Sequence, residues 1–262
     1  MLPLEHPEDR ARGALVAALA VLQALAAPLT RWALGPQSGP GTVSDANPSP
    51  LTPAGYAFSI WGLIYLSCLA YAVYQLVPRQ RVRAVHRRTG WWLAAAFAAS
   101  TVWVPLFGSG HLGLAQVVVV GLVALLAVAG WRMTRSGPAP EVADRFLFRL
   151  PLTLYLGGAT VSAAAGFGTT FRFLGVPERG GWMTGLSILM VLVTTLAAVI
   201  AVSSLAAAAG YAGATCWALV AMAVATPEGL VQVGTLVGLV VVLATLVGRA
   251  FRSRRPDVVL LG

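Results

Sequence analysis

The sequence contains little charge, no lysine, two cysteines and three histidines. Charged residues make up 10% of the 262 positions, against about a quarter in soluble domains. A chain without lysine cannot form the glycine-rich phosphate-binding loop that ends in lysine, and two cysteines are too few for a disulfide scaffold. Cys68 and Cys216 each lie within an apolar run, and we interpret both as small core residues. These scarcities exclude a soluble globular protein and a disordered chain.

Apolar residues fill most of the chain instead. They account for 58% of positions, and the mean hydropathy is +0.78. A helical membrane span needs about 20 apolar residues, so the chain is long enough for about eight spans joined by short loops. We therefore predict an all-α fold, a polytopic transmembrane helical bundle.

Eight apolar runs can be placed along the sequence. The uncharged stretch Trp182–Thr226 would measure about 68 Å as one helix, more than twice the hydrocarbon thickness of about 30 Å. We therefore divide it into two helices at a turn near Ser203–Tyr211. The other six runs are Gly13–Leu34, Tyr56–Val77, Trp91–Phe107, Leu112–Trp131, Phe148–Phe171 and Leu230–Val247.

The first run has two interpretations. Ala24-Leu25-Ala26 is similar to a signal-peptidase site, but the preceding acids Glu5, Glu8 and Asp9 are unfavourable in a signal sequence. We interpret the run as a span.

The chain then divides into an N-terminal segment at 1–12, a five-helix bundle at 13–171, three additional spans at 182–248 and a basic tail at 249–262.

The arginines indicate which side of the membrane each loop faces. With the N-terminus inside and the sides alternating, fifteen arginines fall inside and three, at positions 31, 172 and 179, fall outside. This is the positive-inside pattern, and we expect both termini to be cytoplasmic in a multi-pass protein of the cell (inner or plasma) membrane. The basic stretch Arg79–Arg88 anchors two spans, with recognition of anionic lipid headgroups as the alternative interpretation.

No ionisable side chain lies in the middle of an apolar run. The acids and the histidines fall in loops or at span ends. Proton-coupled transport relies on ionisable groups within the membrane, and metal or acid–base chemistry needs ligands and bases that the runs lack. The sequence therefore indicates no catalytic residue, no metal ligand and no required cofactor, and it favours a protein that is not an enzyme.

Two patterns within the runs are informative. Phe58, Trp61 and Tyr65 share a helical face at spacings i, i+3 and i+7. Since tryptophan and tyrosine carry polar groups that need partners in hydrocarbon, this face is interpreted as packing or as the wall of a cavity.

Small residues form a stripe along the fifth run, which favours close helix packing, with a homodimer interface as the alternative. The stripe consists of Gly158, Ser162 and Gly166.

The segment Pro53–Tyr65 resembles the TspO/MBR family, the tryptophan-rich sensory proteins and translocator proteins. It starts with a proline and ends in Trp61-Gly62-Leu63-Ile64-Tyr65, which is similar to the W-x-x-L-Y segment of the family's second helix. Three later segments are similar to the end of the third helix and the starts of the fourth and fifth. These are Trp103-Val104-Pro105-Leu106-Phe107-Gly108, Gly113-Leu114-Ala115, and Leu150-Pro151 with Tyr155.

The resemblance covers residues 13–171 and includes departures. Tyr56 stands near the position of an expected tryptophan, and Ser100 and Ala163 stand where the family has asparagines. The family core has five helices, so the last three spans look like an addition. The chain is thus similar to a divergent long form of the family.

The resemblance implies a cavity among five helices, beneath the first loop, that binds hydrophobic ligands such as porphyrins and sterols. The ligand-binding candidates that it carries over are Pro53, Tyr56, Trp61, Tyr65, Trp103, Phe107 and Tyr155. The loop Gly35–Pro53 would act as a mobile cover. The implied partners are the lipid bilayer and a hydrophobic small molecule, with a porphyrin as a candidate ligand and no nucleic acid.

Three functions follow from these observations. The first is binding or sensing of a hydrophobic ligand, which the aromatic cluster without ionisable groups favours. The second is a transporter or permease subunit for an apolar or amphipathic solute, because three spans are added to the bundle. The third is a membrane enzyme acting on tetrapyrroles or lipids, and the missing acids and bases favour it least.

Overall fold

The computed structural model describes residues 5–178 and 181–262, and no strand occurs in these ranges. Eight of its helices are long and apolar enough to cross a membrane, so the predicted all-α bundle with eight spans is confirmed. They are α1 (Pro7–Leu34), α2 (Gly55–Leu76), α3 (Ala84–Gly108), α4 (Leu112–Thr134), α5 (Val142–Phe173), α6 (Gly181–Ser204), α7 (Ala208–Ala225) and α8 (Gly229–Arg252).

Short helices occupy several of the connections. The first loop contains a 3₁₀ turn, Pro36–Ser38, and then the helix Pro40–Ala46, which we call the cover helix. The helix Pro78–Arg81 follows α2, and the helix Pro256–Leu261, which we call the terminal helix, follows α8. The turn between α6 and α7 falls at 205–207, inside the interval predicted from the sequence, and Ala207 takes a positive φ of 56° there.

The first five long helices surround one core, and the last three pack against its α5 side. The core takes a buried side chain from each of the five, for example Val16, Ile64, Phe97, Leu122 and Tyr155. Helix α7 packs along α5, while α6 and α8 contact α7 and each other. Apolar side chains on α6 and α8 remain exposed, as expected for surfaces that face lipid.

Both ends of the described chain lie at the same end of the bundle. Arg81 donates to Glu5 at 2.9 Å, Arg145 donates to Asp257 at 2.9 Å, and the Ala139 amide donates to the Gly262 carbonyl at 3.2 Å. These contacts join the N-terminal segment, the α2–α3 and α4–α5 connections and the terminal helix. We call this the basic end, and the opposite end, which holds the loop 35–54, the cover end.

The helices at the basic end begin earlier than the apolar runs. Helix α3 begins at Ala84 and not at Trp91, and α5 begins at Val142 and not at Phe148. Asp144, expected in a polar loop, is therefore helical, and it is 1% exposed. A carboxylate can be buried in this way only when it is paired and hydrogen-bonded.

The partners of the buried acids come from the stretch 79–88. Arg83 donates to both carboxylate oxygens of Asp144 at 2.6 and 2.7 Å, and Arg87 donates to both oxygens of Asp9 at 2.9 and 2.6 Å. Arg12 is a second partner of Asp9 at 2.8 Å. Much of this basic stretch therefore neutralises acids inside the protein, and its arginines are not all available to lipid headgroups.

Tryptophans mark both ends of the bundle. Trp32 and Trp182 are exposed at the cover end, while Trp91 and Trp131 are exposed at the basic end. The guanidinium of Arg135 lies 5.0 Å from the ring centroid of Trp131, a cation–π contact. Indoles at two levels are typical of the two membrane–water interfaces, and they agree with a multi-pass membrane protein.

Candidate functional site

Three helices, α2, α3 and α5, bring the predicted aromatic residues together around Trp61. The ring centroid of Trp61 lies 5.5 Å from that of Tyr65, 5.5 Å from that of Trp103 and 6.0 Å from that of Tyr155. Phe107 continues the cluster, 5.5 Å from Trp103. The cluster forms because Trp61 and Tyr65 share one face of α2, which is turned towards α3 and α5.

The hydroxyl groups of Tyr65 and Tyr155 are hydrogen-bonded to side chains of other helices. The Tyr65 hydroxyl lies 3.3 Å from the Ser100 hydroxyl, and the Tyr155 hydroxyl donates to Gln23 Oε1 at 2.9 Å. Ser100 and Gln23 are fully buried. Because these hydroxyls already have partners, the rings present mainly apolar surface to anything that lies against them.

Two cavities adjoin the cluster. The inner cavity, of about 60 Å³, lies between the aromatic cluster, α5, α7 and Pro40 and Ser44 of the cover helix. The outer cavity, of about 400 Å³, lies between the cover helix and the aromatic cluster. Trp61 and Trp103 line both cavities, as do Pro40 and Phe58. Drug-sized ligands occupy pockets of about 300–1,000 Å³, and only the outer cavity reaches this size.

The loop above the cavities is fastened to the bundle at several points. Arg172 of α5 donates from Nε to the Pro48 carbonyl at 2.9 Å, and the Ala54 amide donates to the Ala221 carbonyl of α7 at 3.1 Å. Leu51 is buried in a cluster with Val161 of α5. The structure thus places a folded cover over the site, attached to both α5 and α7.

The structure places the seven candidate ligand-binding residues in different surroundings. Pro53 and Phe107 line the inner cavity, Tyr65 lines the outer one, and Trp61 and Trp103 line both. Tyr155 reaches the cluster through its edge contact with Trp61. Tyr56 lines neither cavity: it is 47% exposed, and its ring packs edge-on against Trp217 of α7, with centroids 5.3 Å apart.

The small-residue stripe of α5 faces the inside of the bundle. Gly158, Ser162 and Gly166 all line the inner cavity. A Cβ atom at position 158 would come within 2.7 Å of Ile64 Cδ1, and one at position 166 within 2.4 Å of Gln116 Oε1. The stripe therefore allows close approach of α2 and α4 within one chain, and a contact with a second copy would have to use another surface.

Comparison with known families identifies the chain. A family model described as TSPO-like protein matches residues 14–248. The chain belongs to the TSPO-like family. This confirms the resemblance found at Pro53–Tyr65, and the match extends beyond residue 171 to include α6, α7 and α8. Comparisons with curated proteins and with solved structures gave no match.

Helix α7 contributes part of the site in this TSPO-like protein, and sequence reasoning missed it. Ala214, Ala218 and Met222 form one wall of the inner cavity. Trp217 of the same helix donates from its indole nitrogen to the Ala57 carbonyl at 3.2 Å, which joins α7 to the start of α2. The sequence carried no signal for this wall, because small apolar residues occur in every span.

The outer cavity also includes residues that were not predicted as site residues. Phe58 lines both cavities, and Arg31 and Asp45 lie at the exposed rim of the outer one. Phe58 could have been found from its shared face with Trp61. Arg31 carried a weaker signal, since it is among the few arginines assigned to the side opposite the basic end.

Proposed function

We propose that this TSPO-like membrane protein binds or senses a flat, hydrophobic ligand in the outer cavity, with a tetrapyrrole as the candidate, and that it is not an enzyme. The observation that carries the proposal is the pair Trp61 and Trp103, whose ring centroids lie 5.5 Å apart and which line the outer cavity. Aromatic faces favour offset or edge contacts with other aromatic rings, worth about 0.5–1.5 kcal/mol per contact beyond the burial of apolar area.

The outer cavity also offers a polar rim suited to an amphipathic ligand. Arg31 lies at its mouth, and a guanidinium binds a carboxylate through charge-assisted hydrogen bonds. The floor, by contrast, is formed by Trp61, Tyr65 and Trp103, with the Tyr65 hydroxyl already bound to Ser100. A ligand with an apolar ring system and an acidic edge matches this division.

Replacing Trp61 by alanine should weaken the binding of protoporphyrin IX about tenfold, because one aromatic contact and its buried area are lost. The measurement is the change in porphyrin absorbance during titration of the detergent-purified protein, which does not depend on the number of tryptophans. Trp32→Ala is the matched control, since Trp32 is 85% exposed and lines neither cavity. Equal affinities of Trp61→Ala and the unaltered protein would reject this site.

A second variant tests whether Arg31, at the rim of the outer cavity, binds an acidic group of the ligand. The Arg31→Gln protein should bind protoporphyrin IX less tightly than the unaltered protein, and it should bind the dimethyl ester as tightly, because the ester has no carboxylate to pair with Arg31. A loss of affinity for both compounds would show that Arg31 acts on the cavity's shape and not on the acid.

We also propose that the basic end faces the cytoplasm and that the protein resides in the cell membrane. The arginine bias and the common location of both chain ends support this orientation. Alkaline phosphatase fused after Gly262 should be inactive, because it folds only on the far side of that membrane, and the same reporter inserted at Ser109 should be active. The reverse pattern of activities would overturn the orientation.

A further inference from the structure

Two groups of arginines at the basic end differ in their pairing. In the first, Arg81, Arg83 and Arg87 are paired with Glu5, Asp144 and Asp9. The second group lies in the last turn of α8 and just after it, and within the described part of the chain none of its members forms an ion pair. It consists of Arg249, Arg252, Arg254 and Arg255.

Asp257, the acid that follows the second group in the sequence, is already paired with another arginine. Asp257 accepts a hydrogen bond from Arg145 of α5 at 2.9 Å. Burial raises the pKa of the Asp257 carboxyl, but the hydrogen bond and the charge of Arg145 outweigh it, and the pKa lies below its ordinary value. Asp257 therefore remains ionised and paired with Arg145 near neutral pH. Its charge also acts on Arg255, but among the described residues it forms no ion pair with Arg249 or Arg252.

A groove of about 560 Å³ adjoins the second group. Ala244, Gly248 and Arg252, at spacings of four residues, lie on the face of α8 that lines it, and Ser203 of α6 and Val259 of the terminal helix form the other walls. A Cβ atom at Gly248 would meet nothing within 4 Å. Thr245 of α8 also lines the groove, and its hydroxyl donates to the Val241 carbonyl of its own helix at 2.7 Å. The groove thus has small side chains along α8 and positive charge at the level where α8 ends.

Arg249 also lines this groove, but one edge of its guanidinium is used for packing. Its Nη1 donates to the Val202 and Leu205 carbonyls, at the end of α6, where helical carbonyls lack partners. These bonds offset the negative end of the α6 dipole, which would otherwise repel an anion. Arg252 is exposed, and no hydrogen bond of its side chain occurs among the described residues.

We propose that this groove binds an anionic membrane lipid, with the phosphate at Arg252 and the free edge of Arg249, and with an acyl chain along Ala244 and Gly248. The neighbouring side chains Ile200 and Val247 are exposed on the outside of the bundle, so the groove opens towards the lipid. Basic pockets between membrane helices are suited to anionic headgroups. A soluble phosphate would use the charge but leave the apolar wall uncovered.

Lipid binding by the purified full-length protein tests the proposal. Phosphatidylglycerol should bind more tightly than phosphatidylcholine with the same acyl chains, as measured by native mass spectrometry of the protein in detergent. Arg252→Gln should weaken phosphatidylglycerol binding about fivefold, the effect of one arginine near a membrane surface. Arg88→Gln removes an exposed arginine from the basic end but away from the groove, and it should leave the affinity unchanged.

A second variant tests the apolar wall without altering charge. Gly248→Leu should fill the groove and weaken phosphatidylglycerol binding, and its melting temperature will show that the bundle is intact. Competition by excess inorganic phosphate alone, or an unchanged affinity in Gly248→Leu, would overturn lipid as the occupant. A loss in Arg88→Gln equal to that in Arg252→Gln would reduce the effect to general surface charge and would also overturn the proposal.

Discussion

Replacing Asp144 by alanine should lower the free energy of unfolding by about 3 kcal/mol, because the change leaves a partly buried guanidinium without its partner. Asp144 accepts two hydrogen bonds from Arg83 and a third from the Tyr74 hydroxyl at 2.6 Å. Burial lowers the pKa of Arg83, but the hydrogen bonds and charge of Asp144 outweigh it, and the pKa is raised. The variant keeps the positive charge on Arg83 but lacks the carboxylate that stabilises this charge.

Glu141→Ala is the matched control for Asp144→Ala. Glu141 precedes Asp144 by three residues and also pairs with an arginine, but the Arg79 side chain that it contacts is 67% exposed. Exposed pairs contribute about 0–1 kcal/mol, so this variant should melt close to the unaltered protein. Thermal unfolding of the three proteins in one detergent measures the difference. Equal melting temperatures for Asp144→Ala and Glu141→Ala would contradict the structural role of the buried pair.

Replacing Gly210 by valine should destabilise the protein by about 3 kcal/mol or more, because new atoms in a packed contact force the backbones apart. A Cβ atom at Gly210 would lie 2.4 Å from Thr153 Oγ1, 2.6 Å from the Leu150 carbonyl oxygen and 2.9 Å from the Leu154 nitrogen. Two of these three atoms belong to the backbone of α5 and cannot rotate away. Since α7 forms a wall of the inner cavity, the variant should also alter that cavity.

Gly213→Val provides the control on the same helix. Gly213 is exposed, and a Cβ atom there would meet nothing within 4 Å. The exchange should change stability by only a few tenths of a kcal/mol, since valine is a somewhat better helix former than glycine. The measurements are the melting temperature and the yield of monodisperse protein on size exclusion. A Gly210→Val protein as stable as Gly213→Val would show that α5 and α7 do not depend on this close approach.

Local patterns accounted for the aromatic face of α2 but not for the complete site. Phe58, Trp61 and Tyr65 could be placed on one face because helical spacing is a property of neighbouring residues. The resemblance then supplied Trp103 and Phe107, which the structure places beside Trp61. Nothing local indicated that α7 would complete the inner cavity, and Tyr56, chosen by position in a motif, contacts Trp217 outside both cavities.

The positions of charged residues could also be predicted only in part. Scarcity of charge within the apolar runs located the spans, because an unpaired charge is costly in hydrocarbon. That reasoning put Asp144 in a loop, whereas it is helical and buried. Its partner Arg83 lies 61 positions away, and the partner of Asp9, Arg87, lies 78 positions away. Pairs of such separation cannot be read from composition or periodicity.

The sequence by itself determined the fold class and the number of spans. A helix needs about 20 apolar residues to cross a bilayer, and lipid offers no hydrogen-bond partners to free backbone N–H and C=O groups. It also determined the basic and cover ends through the distribution of arginine. Only the tertiary structure decided which arginines are neutralised within the protein, and which helices enclose the two cavities that Trp61 lines. Those outcomes depend on contacts between residues far apart in the chain, which form when the helices pack.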